Sequence, residues 1–234
     1  MNPVITGEGL HSRDSRRGSK AEQVYAEIKS AILSGGLEPG AAIDKLALCA
    51  RLGVSRFPVS TALNRLAFER LVVIEPQHGS FVGKIAAADV REWMMIRRGL
   101  ETEMAGELAH CLSADTRTAL ERNMRYQQAA AEAGDLSGFY AQDIEFHRLI
   151  AGGLHLSQTI AILEGLRSSL ERIRRLLLAP PDRMLVSLAE HQAIFAALVK
   201  GDRHAAREAM RAHLKMTTAL FEDFALGHPG MFSA

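Results

Sequence analysis

Residues 52–66 read Leu52-Gly53-Val54-Ser55-Arg56-Phe57-Pro58-Val59-Ser60-Thr61-Ala62-Leu63-Asn64-Arg65-Leu66. Gly53 breaks the helix before it, and Ser55 stands where the N-cap of the next helix belongs. Pro58 falls in the first helical turn, whose N–H groups have no internal partner to lose. Leu52, Val54, Val59, Leu63 and Leu66 can pack two helices together. Ser55, Arg56, Phe57, Ser60, Thr61 and Asn64 are left facing outward near the start of the second helix.

Upstream, Val24, Ile28 and Ile32 recur every four residues, which predicts a helix over 21–33. Gly35-Gly36 and Pro39-Gly40 end it, and Asp44 is placed to cap a short helix over 45–51. Downstream, the second helix of the pair runs to about Glu69. Leu71–Ile74 and Ser80–Val82 read as two short strands around the turn Pro76-Gln77-His78-Gly79. Helix, helix, turn, helix, hairpin is the order of a winged helix-turn-helix. In that fold the outward residues at the start of the second helix meet base edges in the major groove. Arg56 would read guanine or clamp a phosphate, and His78-Gly79 at the hairpin tip would lie along the backbone or enter the minor groove.

Bulk properties agree. The chain has 234 residues, 47% hydrophobic and 24% charged, as in ordinary globular proteins. Residues 1–85 carry 11 Lys+Arg against 8 Asp+Glu, and residues 86–234 carry 17 against 19, so the basic excess lies on the N-terminal side. Residues 1–19 are polar, without the apolar stretch of a signal peptide, and read as a disordered leader. No run is long and apolar enough for a membrane span. Cys49 and Cys111 form no CxxC pair, so a thiolate zinc site or disulfide framework is not expected and a cytoplasmic location fits. The expected domains are a DNA-binding unit over 20–84, a linker at 84–88 and a helical unit over 89–225.

Beyond the linker no strand signal stands out. Asp89 and Ser113 are candidate N-caps. Gly134-Asp135, Gly152-Gly153, Pro180-Pro181 and Gly201-Asp202 separate six helices at about 89–111, 114–133, 136–152, 157–178, 182–200 and 202–224. Long amphipathic helices with short connections predict an antiparallel bundle, so the fold class is mainly α. Seven of the nine histidines lie in this half. Asp143 and His147 are four apart, on the stripe of Phe139 and Ile150. His191 shares a stripe with Leu188, Phe195 and Leu198, and His213 shares one with Ala206, Met210, Thr217 and Leu220. A lone inward histidine is ordinarily satisfied by a backbone carbonyl. Three of them with an aspartate must find each other, water or an ion. Three nitrogens and one oxygen suit a divalent transition metal: zinc, nickel, manganese or iron. His110, His204 and His228 read as solvent-facing or terminal.

The stretches LGVSRFPVSTALNRL (52–66) and LVVIEPQHGSFV (71–82) resemble the N-terminal domain of the GntR family of bacterial regulators. IRRGLETEMAGELA (96–109), DIEFHRLIAG (143–152) and EHQAIFAALVKGDRHAAREAMRAHL (190–214) resemble the helical, FCD-type ligand-binding domain of its FadR-like branch. The resemblance implies a homodimer on a palindromic double-stranded operator, acting as a repressor that responds to a small carboxylate metabolite. It places metal ligands at Asp143, His147, His191 and His213, and an effector-contacting arginine at Arg97. Arg98 would be solvated or paired with Glu101 or Glu103, and Arg172 and Arg174 are secondary candidates for anionic groups. Arg56, His78 and Gly79 match the family's pattern. Ser60 and Thr61 stand where Arg and Glu are usual, which implies a different operator sequence, and Leu154–Gln158 lacks a usual Asn.

Two alternatives share the metal set: a regulator that senses the ion itself, and a helical-bundle metalloenzyme. Against an enzyme, Glu145 falls on another face from His147, and no P-loop, dinucleotide fingerprint or nucleophile elbow is present.

Overall fold

The computed structural model describes residues 19–33, 35–178 and 181–233, the side chains of 165–169 and 181 excepted. Residues 1–18 of the expected leader, and Pro180, lie outside those residues. The chain divides into two compact units, residues 1–32 with 40–83 and residues 33–39 with 84–234.

In the first unit, α1 (Lys20–Leu33), α2 (Lys45–Leu52) and α3 (Arg56–Phe68) precede the antiparallel hairpin β1 (Val72–Glu75) and β2 (Gly79–Val82). Asp44 caps α2 as expected, accepting from the N–H groups of Leu46 (2.8 Å) and Ala47 (3.0 Å). Gly53 ends α2 at φ 60°, in the left-handed region that a Cβ disfavours. Ser55 holds the N-cap position of α3 but makes no side-chain capping bond, contrary to expectation, which leaves its hydroxyl outward. Val24, Ile28, Ile32, Val59, Leu63 and Leu66 are buried.

A polar clasp adds to this core. The Tyr25 hydroxyl donates to Glu69 at 2.6 Å, Lys29 donates to Glu69 at 2.7 Å, and Arg65 lies 3.7 Å over the Tyr25 ring while bonding Glu22. These contacts tie α1 to the end of α3. The segment 40–43 also pairs with β2: Gly40 N–H donates to Val82 O, Ile43 N–H to Ser80 O and Val82 N–H to Ala41 O. The wing therefore has a third edge that its glycine- and alanine-rich sequence did not announce.

The second unit holds α4 (Ala87–Cys111), α5 (Ala114–Ala133), α6 (Leu136–Gly152), α7 (Ser157–Leu178), α8 (Pro181–Lys200) and α9 (Arg203–Gly227). Ser113 caps α5 through Thr116 N–H. Asp89 is not a cap: α4 begins at Ala87, so Asp89 sits in the first turn, where its charge favours the helix N-terminus. The absence of strands is also corrected. Within the expected linker, β3 (Ile85–Ala86) pairs in parallel with β4 (Phe232–Ser233), which follows a short 3-10 turn at Pro229–Met231. The tail is held there because Phe232 packs with Ile85, Val90, Leu170 and Phe221. Elsewhere the core is the expected aliphatic bundle interior, with Leu108, Leu120, Ile150, Leu198 and Met210 buried.

Candidate functional sites

The outward residues of α3 are where the sequence places them. Ser55, Arg56, Phe57, Ser60, Thr61 and Asn64 are all exposed, as are His78 and Gly79 at the hairpin tip. Phe57 is 80% exposed. Thr61 Oγ1 donates to Phe57 O at 3.0 Å, which leaves its methyl group outward. Gln77 and Gly79 take positive φ (66° and 126°), turning the tip tightly and presenting backbone there.

In the second unit, α6 delivers Asp143 and His147 on consecutive turns, α8 delivers His191 and α9 delivers His213. All four are buried, and one ligand atom from each lies within 4.8 Å of every other. Asp143 Oδ1 is 3.6 Å from His191 Nε2 and 3.9 Å from His147 Nε2, and the Nε2 atoms of His191 and His213 are 3.4 Å apart.

The outer nitrogens explain this convergence. His213 Nδ1 lies 2.7 Å from Glu190 Oε2, and His191 Nδ1 lies 2.8 Å from Gln127 Oε1. Gln127 is itself fixed by donating to Asn123 at 2.7 Å, and Asn123 donates to the backbone oxygen of Gln142. A carboxylate or amide oxygen can only accept, so both Nδ1 atoms donate, which turns both Nε2 atoms toward the cluster. His147 Nδ1 is 2.6 Å from Glu101 Oε2 but out of line for a hydrogen bond, and neither of its ring nitrogens makes one.

The converging ring nitrogens and the Asp143 oxygen form a group that could hold a metal ion. The donor set fits a divalent transition metal. Burial pushes His147 down to about 3, with Glu101 opposing, and burial with the neighbouring His213 lowers His191. Both are therefore neutral near pH 7, as metal ligands must be. Burial alone would raise the Asp143 carboxyl, but Arg174 and the histidines hold it below the usual range.

Beside the cluster is a small cavity of about 20 Å³, lined by Arg97, Asp143, Arg174, Arg183, Ser187 and His213 among others. Arg97 does reach this cavity, but it is also forked onto Glu101 (2.8 and 3.4 Å). That contact takes the carboxylate expected to serve Arg98, while Glu103 pairs with Arg207. Arg174 is bonded to Asp143. His110, His204 and His228 are exposed, as expected. Glu145 pairs with Arg148. Sequence reasoning gave Gln127 and Glu190 no role and named Glu101 only as a partner for Arg98. Glu190, next to His191, carried a hint, but it serves a histidine on a different helix.

Comparison with known proteins accounts for both units. Residues 20–82 match the family model described as bacterial regulatory proteins, gntR family, and residues 92–216 match the FCD domain. The HTH-type transcriptional repressor RspR of Escherichia coli (strain K12) is 32% identical over 197 residues, 83% of this chain and 85% of the relative. An uncharacterized HTH-type transcriptional regulator in an unstable DNA locus of Streptomyces ambofaciens is 34% identical over 207 residues, 86% and 83% of the two chains. Among solved structures, E. coli McbR/YncC (TM-score 0.68, 22% identity) and a putative transcriptional regulator GntR from Rhodococcus sp. RHA1 (0.67, 24%) share the fold. Each is matched over 88% of this chain and 99% of its own. These relatives are regulators rather than enzymes, which sets the metalloenzyme alternative aside. No helix among the described residues is long and apolar enough to cross a membrane. The chain belongs to the GntR family of bacterial transcriptional regulators and carries an FCD domain.

Proposed function

We propose that this regulator is an effector-responsive repressor. Asp143, His147, His191 and His213 hold a divalent transition metal (zinc, nickel, manganese or iron), and a small carboxylate binds beside it. The observation that carries the proposal is the pair of Nε2 atoms 3.4 Å apart, with Asp143 Oδ1 alongside, each ring oriented from behind by Gln127 or Glu190. A bound metal would supply a Lewis-acidic centre for a carboxylate, with Arg97 nearby to balance its charge. The arginine-lined cavity favours an organic effector over the ion alone as signal. At about 20 Å³ it has room for little more than one water, so a ligand must displace a wall formed by α7, α8 or α9. Such a displacement gives the ligand a differential affinity for two states, which is what a switch requires.

We also assign DNA contact to Ser55, Arg56, Phe57, Ser60, Thr61, Asn64, His78 and Gly79, supported by their exposure along one face of α3 and at the wing tip. A homodimer on an inverted repeat completes the proposal, since operator symmetry mirrors protein symmetry.

Electrophoretic shift titrations at fixed salt test it, using chelator-treated, zinc-loaded, and zinc-plus-carboxylate protein. The expected response to carboxylate in the zinc form is roughly 5–150-fold in operator affinity. A response to zinc alone, with none to carboxylates, would identify a metal sensor. Equal affinity in all three forms would refute both.

A further inference from the structure

Three arginines line the cavity beside the cluster, and they are not equivalent. Arg97 is forked onto Glu101 through Nε and Nη2, and Arg183 onto Glu190 through Nη1 (3.2 Å) and Nη2 (2.8 Å). Arg174 uses Nη2 on Asp143, while its Nη1, equally buried, makes no hydrogen bond among the described residues. The Arg174 residue is 4% exposed. An unsatisfied guanidinium nitrogen at that depth is costly unless a ligand completes it.

Charge points the same way. Arg97, Arg174 and Arg183 each face one carboxylate: Glu101, Asp143 and Glu190. Neutral imidazole ligands add nothing. A divalent ion at the cluster therefore brings two positive charges that none of these carboxylates is left over to balance, in a site where an uncompensated charge is expensive.

We propose that Arg174 forms a second anion subsite, bridging metal ligand and effector: Nη2 holds Asp143 and Nη1 receives an acidic group of the ligand, so that the effector is a dianion with two carboxylates, one toward the metal and one on Arg174. The proposal rests on the metal reading above and adds to it a ligand class and a residue. Arg97 and Arg183, each forked onto its own carboxylate, are supporting charges. Arg174 also couples the two sites, because what binds Nη1 acts on Asp143 through one rigid planar group.

The test is isothermal titration of zinc-loaded full-length protein with acetate and with malonate, succinate and glutarate. Wild type, Arg174→Met and Arg174→Lys are compared after zinc binding has been measured separately. The best dicarboxylate should bind wild type about 10- to 100-fold more tightly than acetate, the range for one charge-assisted bond. In Arg174→Met that ratio should fall to within about threefold of unity while zinc is still bound. Arg174→Lys, which keeps the charge but lacks the fork, should lie between and serves if the methionine variant does not fold. A wild type that takes up zinc yet prefers no dicarboxylate over acetate overturns the subsite and leaves the metal reading standing. A ratio unchanged in both variants also overturns it. A wild type that binds no zinc removes both.

Discussion

Glu101 offers the sharpest energetic test of the site. Its carboxylate receives the Arg97 fork at 2.8 and 3.4 Å and lies 2.6 Å from His147 Nδ1, with both ion-pair partners almost fully buried. Arg97 stays charged because Glu101 outweighs the penalty of burial, and the same pairing holds Glu101 well below the usual carboxylate range. Glu101→Gln keeps one oxygen acceptor but removes the charge, leaving a buried guanidinium uncompensated. Removing one partner of a buried pair costs about 3–5 kcal/mol, and the retained oxygen argues for the lower end, about 3 kcal/mol. Against a typical total of about 5–15 kcal/mol this is a large fraction. The assay is urea unfolding of chelator-treated protein followed by tryptophan fluorescence. Trp93, the sole tryptophan, lies on α4 and packs against the core of the helical unit, so the signal reports that unit. Arg97→Met should cost a similar amount, and the double variant should cost less than the sum by about 1–3 kcal/mol, the coupling of contacting residues. Single variants that cost under about 1 kcal/mol, or a double variant additive within about 0.5 kcal/mol, would refute the pairing as the reason Arg97 tolerates burial.

Three further outcomes are expected. Metal-free protein should lose stability as pH falls from about 6.5 toward 4.5: His147, down to about 3, and His191, also lowered by burial, take up protons more readily when unfolded. Each contributes up to about 1.4 kcal/mol per pH unit, whereas Glu101 and Asp143, both lowered, lose their contribution only below their ordinary values of 4.5 and 3.8. A flat profile over that window contradicts neutral burial of the histidines. Arg56→Ala should weaken operator binding by roughly 1–3 kcal/mol if it reads a base; equal affinity in a shift titration removes Arg56 from the interface. Phe57, 80% exposed beside Arg56, should contact a thymine methyl. Replacing operator thymines one at a time by uracil should then weaken wild type at one position per half-site and leave Phe57→Ala indifferent.

The sequence carried the site's inner groups because helical periodicity places them: Asp143 and His147 sit one turn apart on an apolar stripe, and His191 and His213 interrupt two others. It could not carry the groups behind them. Glu101, Gln127 and Glu190 are ordinary polar residues on helices whose facing is decided only by packing, and Glu190 serves His213 on α9 rather than its neighbour His191. Nor could periodicity find β4, two residues long and held by Phe232 against Ile85 and Phe221, or the pairing of 40–43 with the wing. Arg97 was singled out by resemblance, whereas its fork onto Glu101 was not foreseen. Nor could the sequence show Arg174 Nη1 left without a hydrogen bond among the described residues, which depends on how α6 and α7 pack.

The central claim, a metal held by four buried side chains, is tested most directly by metal content. Purified wild type and His191→Ala, loaded with zinc and dialysed, are measured by plasma mass spectrometry, with circular dichroism confirming that the variant is folded. The account predicts about one zinc per wild-type chain and well below one in the variant, since losing a direct ligand should cost at least the roughly 10- to 100-fold in affinity that losing an outer-shell partner costs. Equal zinc in both proteins, or none retained by wild type, would show the cluster to be a structural polar core and contradict the account.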